Sequence, residues 1–433
     1  MNQNRLNYIY KNFALIYDFN GFDKIAIAHS SDLACTSKIV ISKSNTNISE
    51  KPTLCQWNEK SIPFLFDSDK KEVITQNENQ VIINYDIISA IFYLLSGQQE
   101  IESITKDNYG RFQYKDSLQH EFNFAETPVV NYYFDILKTA IELAYSIEIK
   151  LKHNFTTCLT HDIDEVDSAW KHRIRLNLQK KKFIKAGLSF ISHLFQPFYP
   201  WRNIEEILTL ENEKGVTSSF FILTNNIKVE EIKNADYKLD SNYMKQQLQN
   251  ISKNGNEIAV HGSYKTHDEA SSLACDIKLL KEKVNGNRFH FLQWDMEQTP
   301  YIIDSNHLSY DTSLGFQEQI GFRNGICNPF YLYDFKNEKA FSFLEIPLNI
   351  MDCSLAYTNY MGIEPKKVKN IIKPIISEIK KFNGVLTLNW HNTFFTDYTN
   401  SEWKTVYLDI IENCKAKNSN FVTCSQITKN YLK

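Results

Sequence analysis

The sequence predicts an α/β protein: a distorted (β/α)7-type barrel with a smaller N-terminal mixed α/β domain. Three observations carry that expectation. The chain has 433 residues, more than one hydrophobic core usually supports, so two domains are the natural reading. From about residue 154 the texture changes to a repeated strand-then-helix rhythm, the pattern of a parallel sheet. Residues of catalytic type gather where the strands of that rhythm stop. The division falls between an N-terminal domain at 1–150 and the barrel at 151–433.

In residues 1–150, the short apolar runs Ile25–Ala28, Ile39–Ile41 and Val81–Ile83 alternate with polar turns and read as strands. Two helical patterns follow, Ile87–Leu95 and Pro128–Ile147. Between them Asp107–Phe112 (DNYGRF) carries a Gly turn signal and reads as a loop. Nothing in this half gathers His, Asp, Glu or Cys into a ligand set. The barrel strands are expected at Thr156–Thr160, Ser218–Leu223, Glu257–His261, Arg288–Gln293, Phe343–Leu348, Gly384–Trp390 and Phe421–Cys424. Helical patterns such as Ile204–Lys214, Tyr243–Lys253 and Glu269–Val284 separate several of them. Seven or eight such units over roughly 280 residues favour a barrel over an open sheet, and barrel chemistry sits at the C-terminal strand ends. There the first strand runs into Asp162 and Asp164, the third ends at His261, the fourth carries Arg288 and His290, and Gly384–Trp390 leads into His391.

Composition narrows the function classes. With 42% hydrophobic and 23% charged residues and a formal net charge of −3, the chain is neither disordered nor collagenous, and nucleic acid is not the expected partner. The 29 Phe and 23 Tyr suit sugar-facing clefts and large cores alike, and core packing is the plainer reading. The cysteines at 35, 55, 158, 275, 327, 353, 414 and 424 make no C-x-x-C pair, so reduced, mostly buried thiols are expected. The opening MNQNRLNYIYKNFALIYDFNGFD has no apolar h-region or small-residue cleavage site, and no run of about 18 apolar residues occurs, which favours a cytoplasmic protein.

Asp162 and Asp164 are two apart, so on an extended segment both side chains point toward one pocket. Two carboxylates that close divide the work: a cation neutralises one and leaves the other free as a base. A pair of turn or capping aspartates is the plain alternative, and His261, His267, His290 and His391 weigh against it. An Asp and two His around a divalent ion, with water in an open position, is a hydrolytic arrangement. A nucleophilic triad has less support, since no G-x-S-x-G elbow occurs. His161 faces the opposite side of the strand and reads as a packed or hydrogen-bonded histidine.

The segment CLTHDID (Cys158–Asp164) resembles the first motif of the polysaccharide deacetylases, carbohydrate esterase family 4 with the NodB-type fold, in the variants that write it D-x-D. The resemblance implies that Asp162 is the general base and Asp164 a metal ligand. EIAVHGSYKTH (Glu257–His267) resembles the second motif and makes His261 a ligand. RFHFLQWD (Arg288–Asp295) resembles the third, in which Arg288 pairs with the base. SYDTSLGF with GFRNG (Ser309–Phe316, Gly321–Gly325) resembles the groove-forming fourth region. LTLNWHNTFF (Leu386–Phe395) resembles the fifth, whose His391 protonates the leaving group. The likeness covers roughly residues 154–430. FYLLSGQQE (Phe92–Glu100) and DNYGRF resemble a companion domain found ahead of this subgroup, for which a supporting or substrate-positioning role is expected.

What the family implies is a metal-dependent hydrolase that removes an N-acetyl or related acyl group from a sugar or polysaccharide precursor, a carbon–nitrogen bond outside peptides. It would carry a divalent metal, zinc being the expected ion, and its partner would be a carbohydrate, lipid-linked in one version. Two rivals remain: a non-catalytic carbohydrate-binding or assembly protein on the same fold, and a cyclic-amide hydrolase. One departure matters. The second motif usually sets two histidines four apart, but here that position is Lys265, and a protonated lysine cannot ligate. His267 is taken as the third ligand, with His290 the competitor and a water-filled or metal-free site the remaining options.

The substrate-contact candidates are Tyr264, His290, Trp294, Asp311, Arg323 and Trp390. All but His290 have a plainer structural reading: Tyr264, with Asp268, as a loop former, the tryptophans as core, and Asp311 and Arg323 as groove braces. The stretch Trp170–Phe198 is basic at its start and apolar toward its end. It could make peripheral contact with an anionic membrane, or cover the barrel with its charged face in solvent.

Overall fold

The computed structural model describes residues 2–31, 36–44, 47–179, 181–195, 198–396, 398 and 402–433. Cys35, and Lys180, Gln196 and Pro197 of the basic-apolar stretch, lie outside the described residues.

The N-terminal region opens with a helix not among the expected elements, α1 (Gln3–Ile16), capped where the Asn2 side chain accepts from the Arg5 amide. Six strands follow: β1 (Ile27–Ser30), β2 (Ile39–Ser42), β3 (Thr53–Trp57), β4 (Lys60–Phe64), β5 (Ile74–Gln76) and β6 (Val81–Ile83). Four form a sheet in the order β1-β2-β6-β5, parallel except for β5, and β3 and β4 make a separate hairpin. Helices α2 (Ile87–Leu95) and α3 (Val129–Tyr145) pack together, and α3 lies on β2 and β6. Seven of the nine residues of α2 are buried, so it is apolar nearly all round, as a helix enclosed between layers must be.

The C-terminal part is a distorted (β/α)7-type barrel. Its strands are β7 (Thr156–Ile163), β8 (Ser218–Leu223), β9 (Glu257–Gly262), β10 (Gly286–Phe289), β11 (Tyr310–Asp311), β12 (Leu344–Glu345), β13 (Ile350–Met351), β14 (Val385–Asn389) and β15 (Asn420–Phe421). All pair in parallel, in the order β12-β11-β10-β9-β8-β7-β14-β13, with β15 beside the start of β7. Helices α4 (Ala169–Gln179), α5 (Phe183–Phe195), α6 (Ile204–Glu213), α7 (Asn242–Lys253), α8 (Ala270–Leu279), α9 (Thr299–Ser305), α10 (Pro365–Lys381), α11 (Trp403–Ala416) and α12 (Cys424–Tyr431) connect the strands or follow the last of them. Every residue of β8 (SSFFIL) is buried, the signature of a parallel strand covered on both faces. Burying each Phe, Ile or Leu there contributes about 1.5–3 kcal/mol relative to exposure.

One irregular segment, 344–351, closes the barrel. Leu344 and Ile346 donate to Ser309 and Asp311 on the β11 side, whereas Asn349 donates to Thr387 and its side chain accepts from the Thr387 amide on the β14 side. A single stretch thus serves both edges, which is why the predicted strand Phe343–Leu348 shrinks to the two residues of β12. The predicted strand Arg288–Gln293 starts earlier and stops at Phe289, because Phe291 and Leu292 take left-handed φ angles of 61° and 54°. At Phe421–Cys424 the strand ends early as well, since Thr423 already caps α12 with a capping box.

The two parts share one contiguous set of buried side chains. Segment 321–331 carries much of the junction. Tyr331 accepts from the Tyr8 hydroxyl at 2.9 Å and donates to Asn12 at 2.8 Å. Arg323 forms a buried two-pronged pair with Glu100, at 2.8 and 2.7 Å. Gly321, with φ of 130°, lies against the Ala125 carbonyl where a Cβ would collide. The FYLLSGQQE and GFRNG motifs therefore meet through Glu100 and Arg323.

Candidate active site

The C-terminal ends of β7, β9, β10 and β14, with the loop after β13, open on one cleft of about 550 Å³. Strand alternation sorts the residues of β7. His161 turns away and is held between the Trp390 carbonyl and Glu211, at 2.7 and 2.9 Å. Asp162 turns inward and is 3% exposed. One carboxylate oxygen accepts from Arg288 Nη1 and the other from Asn389 Nδ2, both at 2.8 Å. Burial pushes the Asp162 pKa up, but Arg288, joined by His261 and His391, outweighs burial and holds it below the usual carboxylate range. Arg288 is itself wholly buried; it also donates to Thr160 Oγ1 at 2.8 Å and the Thr312 carbonyl at 3.0 Å, over the Phe221 ring.

Asp164 stands one residue past β7. Its loop is fixed from below: the Tyr237 hydroxyl donates to the Ile163 carbonyl at 2.6 Å, and the Asp236 carboxylate collects the amides of Val166, Asp167 and Ser168 ahead of α4. A carboxylate at a helix start suits both the free amides and the dipole. Asp164, His261 and His290 then bring one oxygen and two imidazole nitrogens within 4.8 Å of one another. His261 Nε2 lies 3.2 Å from Asp164 Oδ1, and His290 Nε2 lies 3.8 Å from Asp164 Oδ2. His261 Nδ1 sits 2.7 Å from the Arg288 carbonyl, which can only accept, so Nδ1 carries a proton and Nε2 is left for a ligand. Burial keeps the His290 ring neutral, with its pKa down to about 4. Asp164 Oδ1, though 3.2 Å from His261 Nε2, makes no well-aligned hydrogen bond, and His290 Nδ1 is buried without a hydrogen-bond partner, a state polar groups rarely tolerate alone. One carboxylate and two imidazoles gathered this closely fit a divalent cation.

His267, expected as the third ligand, is not in this group. Its backbone carbonyl accepts from Thr299 Oγ1 at 2.9 Å, and its ring stands edge-on to Phe289, outside the cleft lining. Lys265, with φ of 67°, turns outward to Glu230. His290 takes the place instead, because the left-handed turn at Phe291 and Leu292 stops β10 and leaves the His290 ring on the rim.

His391 follows β14. Its Nδ1 lies 2.7 Å from Asp352 Oδ1, and its backbone amide donates to Asp352 Oδ2. Nε2 faces the carboxylates of Asp162 and Asp164 at 3.9 and 3.8 Å. Burial works against a charged ring, but Asp352, with Cys353, outweighs it and lifts the His391 pKa well above the ordinary imidazole value.

Asp352 went unnoticed in the sequence because the short strand before it, β13, did too. Tyr109 and Arg111 of DNYGRF, the loop of the companion-domain resemblance and not among the candidate site residues, form one wall of the cleft. The Tyr109 ring stacks on Phe291, and Arg111 Nη1 donates to the Phe291 carbonyl at 2.6 Å. Tyr357 and Tyr360 are also in the lining. The other substrate candidates do not reach the cleft. Trp294 and Trp390 are core residues. Asp311 is engaged inside the barrel by Asn287 and Ser313, its pKa pushed up to about 6 chiefly by burial. Arg323 is committed to Glu100. Tyr264 packs edge-on to Tyr109 and Phe291, behind the wall.

A family of unknown function (DUF7033) matches residues 1–146, about the first third of the chain. No curated protein matches the sequence. Among solved structures, one assigned as a polysaccharide deacetylase from Mycobacterium smegmatis is 17% identical, with a TM-score of 0.44, over 65% of this chain and 91% of that one. PuuE allantoinase is 12% identical with a TM-score of 0.41, again over 65% and 91%. The peptidoglycan deacetylase PdaC from Bacillus subtilis is 12% identical with a TM-score of 0.26, over 64% and 92%. The barrel stands on its own strand order, and the chemistry on the side chains around the cleft.

Proposed function

We propose that this protein is a metal-dependent hydrolase that removes an N-acyl group from a carbohydrate. The observation that carries this reading is the pairing of an acid and a base across one ligand group. Asp162, ionised against Arg288, lies 3.9 Å from His261, and His391, charged against Asp352, lies 3.8 Å from Asp164, so both border the group of Asp164, His261 and His290. The last three would hold the cation, and zinc suits a set of one carboxylate and two imidazoles. Such an ion supplies polarisation of an acyl carbonyl and acidification of water. Asp162 accepts the proton from the attacking water, with Arg288 and Asn389 keeping its oxygens aimed. His391 gives its Nε2 proton to the departing amine, and Asp352 keeps it charged and oriented until then. The change to Lys265 costs the site no ligand in this reading, because His290 fills the gap. Tyr109, Tyr357 and Tyr360 give the cleft aromatic walls that suit a sugar ring.

The test is acetate release from N-acetylated amino-sugar oligomers by the zinc-loaded protein, with cyclic ureides assayed in parallel. Turnover that falls at least about a hundredfold in Asp162→Asn supports the reading. Undiminished turnover in that variant rejects the mechanism, turnover of the ureides alone rejects the substrate, and no turnover of either by protein that binds zinc rejects the enzyme.

A further inference from the structure

We infer that the α4–α5 hairpin docks the protein on an anionic lipid bilayer. Helix α5 turns an apolar face to solvent. Ile184, Leu188, Ile191 and Phe195 recur at intervals of four, three and four residues, Phe183 and Leu194 flank them, and all six are exposed, Ile184 and Phe195 by 81% and 82%. An isolated exposed leucine is ordinary, but a continuous helical stripe of this kind marks a surface made to be covered. No described helix is long and apolar enough to cross a membrane, which leaves α5 the geometry of a helix lying in the interface plane.

Charge selects the occupant. From Lys171 to Lys185 the sequence holds seven Lys or Arg and no Asp or Glu, and the nearest carboxylates along the chain are Asp167 and Glu205. The chain as a whole is slightly acidic, with a formal net charge of −3, so this cationic run is local. Two copies of the hairpin facing each other would repel. An anionic bilayer takes the apolar stripe into its acyl boundary and the cations onto its headgroups together. The hairpin also touches the cleft: Arg175 of α4 lines it. Docking would therefore set the cleft against the lipid surface, where a glycan carried on a lipid phosphate would meet Arg175. That last step rests on the hydrolase reading, whereas the docking does not.

The experiment is flotation of the full chain with phosphatidylcholine vesicles, with and without roughly a third phosphatidylglycerol, at low and high salt. The expected result is binding to the anionic vesicles that weakens in high salt. Ile184→Glu/Leu194→Glu/Phe195→Glu should lower it at least about tenfold, and Lys181→Glu/Lys182→Glu/Lys185→Glu should abolish the preference for anionic lipid. Exposed apolar residues elsewhere serve as controls: Leu54→Glu and Ile104→Glu should float as wild type does. Circular dichroism checks that each variant is folded. Failure of wild type to float, equal flotation of the hairpin variants, or a dimer in solution that these variants dissociate would each overturn the proposal. Zinc binding measured on the same variants stays intact if only docking is lost, which separates this outcome from failure of the hydrolase reading.

Discussion

Arg288→Met tests whether Asp162 sits in the barrel as a buried, compensated charge. The substitution keeps an unbranched apolar stem of similar reach and removes the guanidinium. Asp162, 3% exposed, loses the 2.8 Å donor on one oxygen and keeps Asn389 on the other. Thr160 Oγ1 and the Thr312 carbonyl lose their donors as well. Breaking a buried ion pair by removing one partner costs about 3–5 kcal/mol, because the remaining charge is left uncompensated. Asp162→Asn/Arg288→Met discards that charge, so the double variant should regain roughly 2 kcal/mol over Arg288→Met. The assay is thermal unfolding at neutral pH and fixed scan rate, with chelator present so that ion binding does not enter. Apparent midpoints are compared, since a chain of this size need not unfold in two states. If Arg288→Met melts within about a degree of wild type, or if the double variant melts as low as the two single losses added together, Arg288 is not the counter-ion of a buried carboxylate.

Three further outcomes follow from the geometry. Asp352→Asn removes the charge that orients His391, so kcat should fall about 10²–10⁴-fold with zinc affinity unchanged, measured by steady-state kinetics beside a zinc titration. Arg111→Ala removes a side chain from the cleft wall and should raise KM about tenfold in steady-state kinetics. His153 bonds the Leu15 carbonyl and stacks on Tyr431, and burial pushes its pKa down to about 4. The unfolded ring, at about 6.5, takes up a proton that the folded ring refuses, so this contribution is complete above that value and is lost as pH falls toward 4. Discounted for the partly exposed ring, the loss is about 1–2 kcal/mol, and His153→Phe should flatten the acid side of a plot of melting temperature against pH.

The parts of this protein that could be read from sequence are those where local pattern and tertiary role coincide. The fully buried strand Ser218–Leu223 and the helix Ile87–Leu95 have the same bounds in sequence and structure, because their apolar runs are unbroken. Strands of two residues, such as Tyr310–Asp311 and Ile350–Met351, carry no period to recognise. They exist because neighbouring strands offer hydrogen bonds. The same cause hid Asp352, which enters the site only through β13. Asp162, Asp164, His261 and His391 could be gathered on one rim from strand ends alone. That His290 rather than His267 stands at the rim depends on two positive φ angles at Phe291 and Leu292, residues whose types give no warning of a left-handed turn. Tyr109 and Arg111 reach the cleft through the packing of the N-terminal region on the barrel, a long-range contact that periodicity does not encode.

The most direct measurement is a zinc titration, with elemental analysis, of wild type beside four alanine variants. Wild type should bind one zinc per chain, with binding weaker by about a hundredfold or more in Asp164→Ala, His261→Ala and His290→Ala. His267→Ala should bind as wild type does. Retention of zinc in His290→Ala with its loss in His267→Ala, or a wild-type protein that takes up none, would contradict the ligand group on which the proposed chemistry rests.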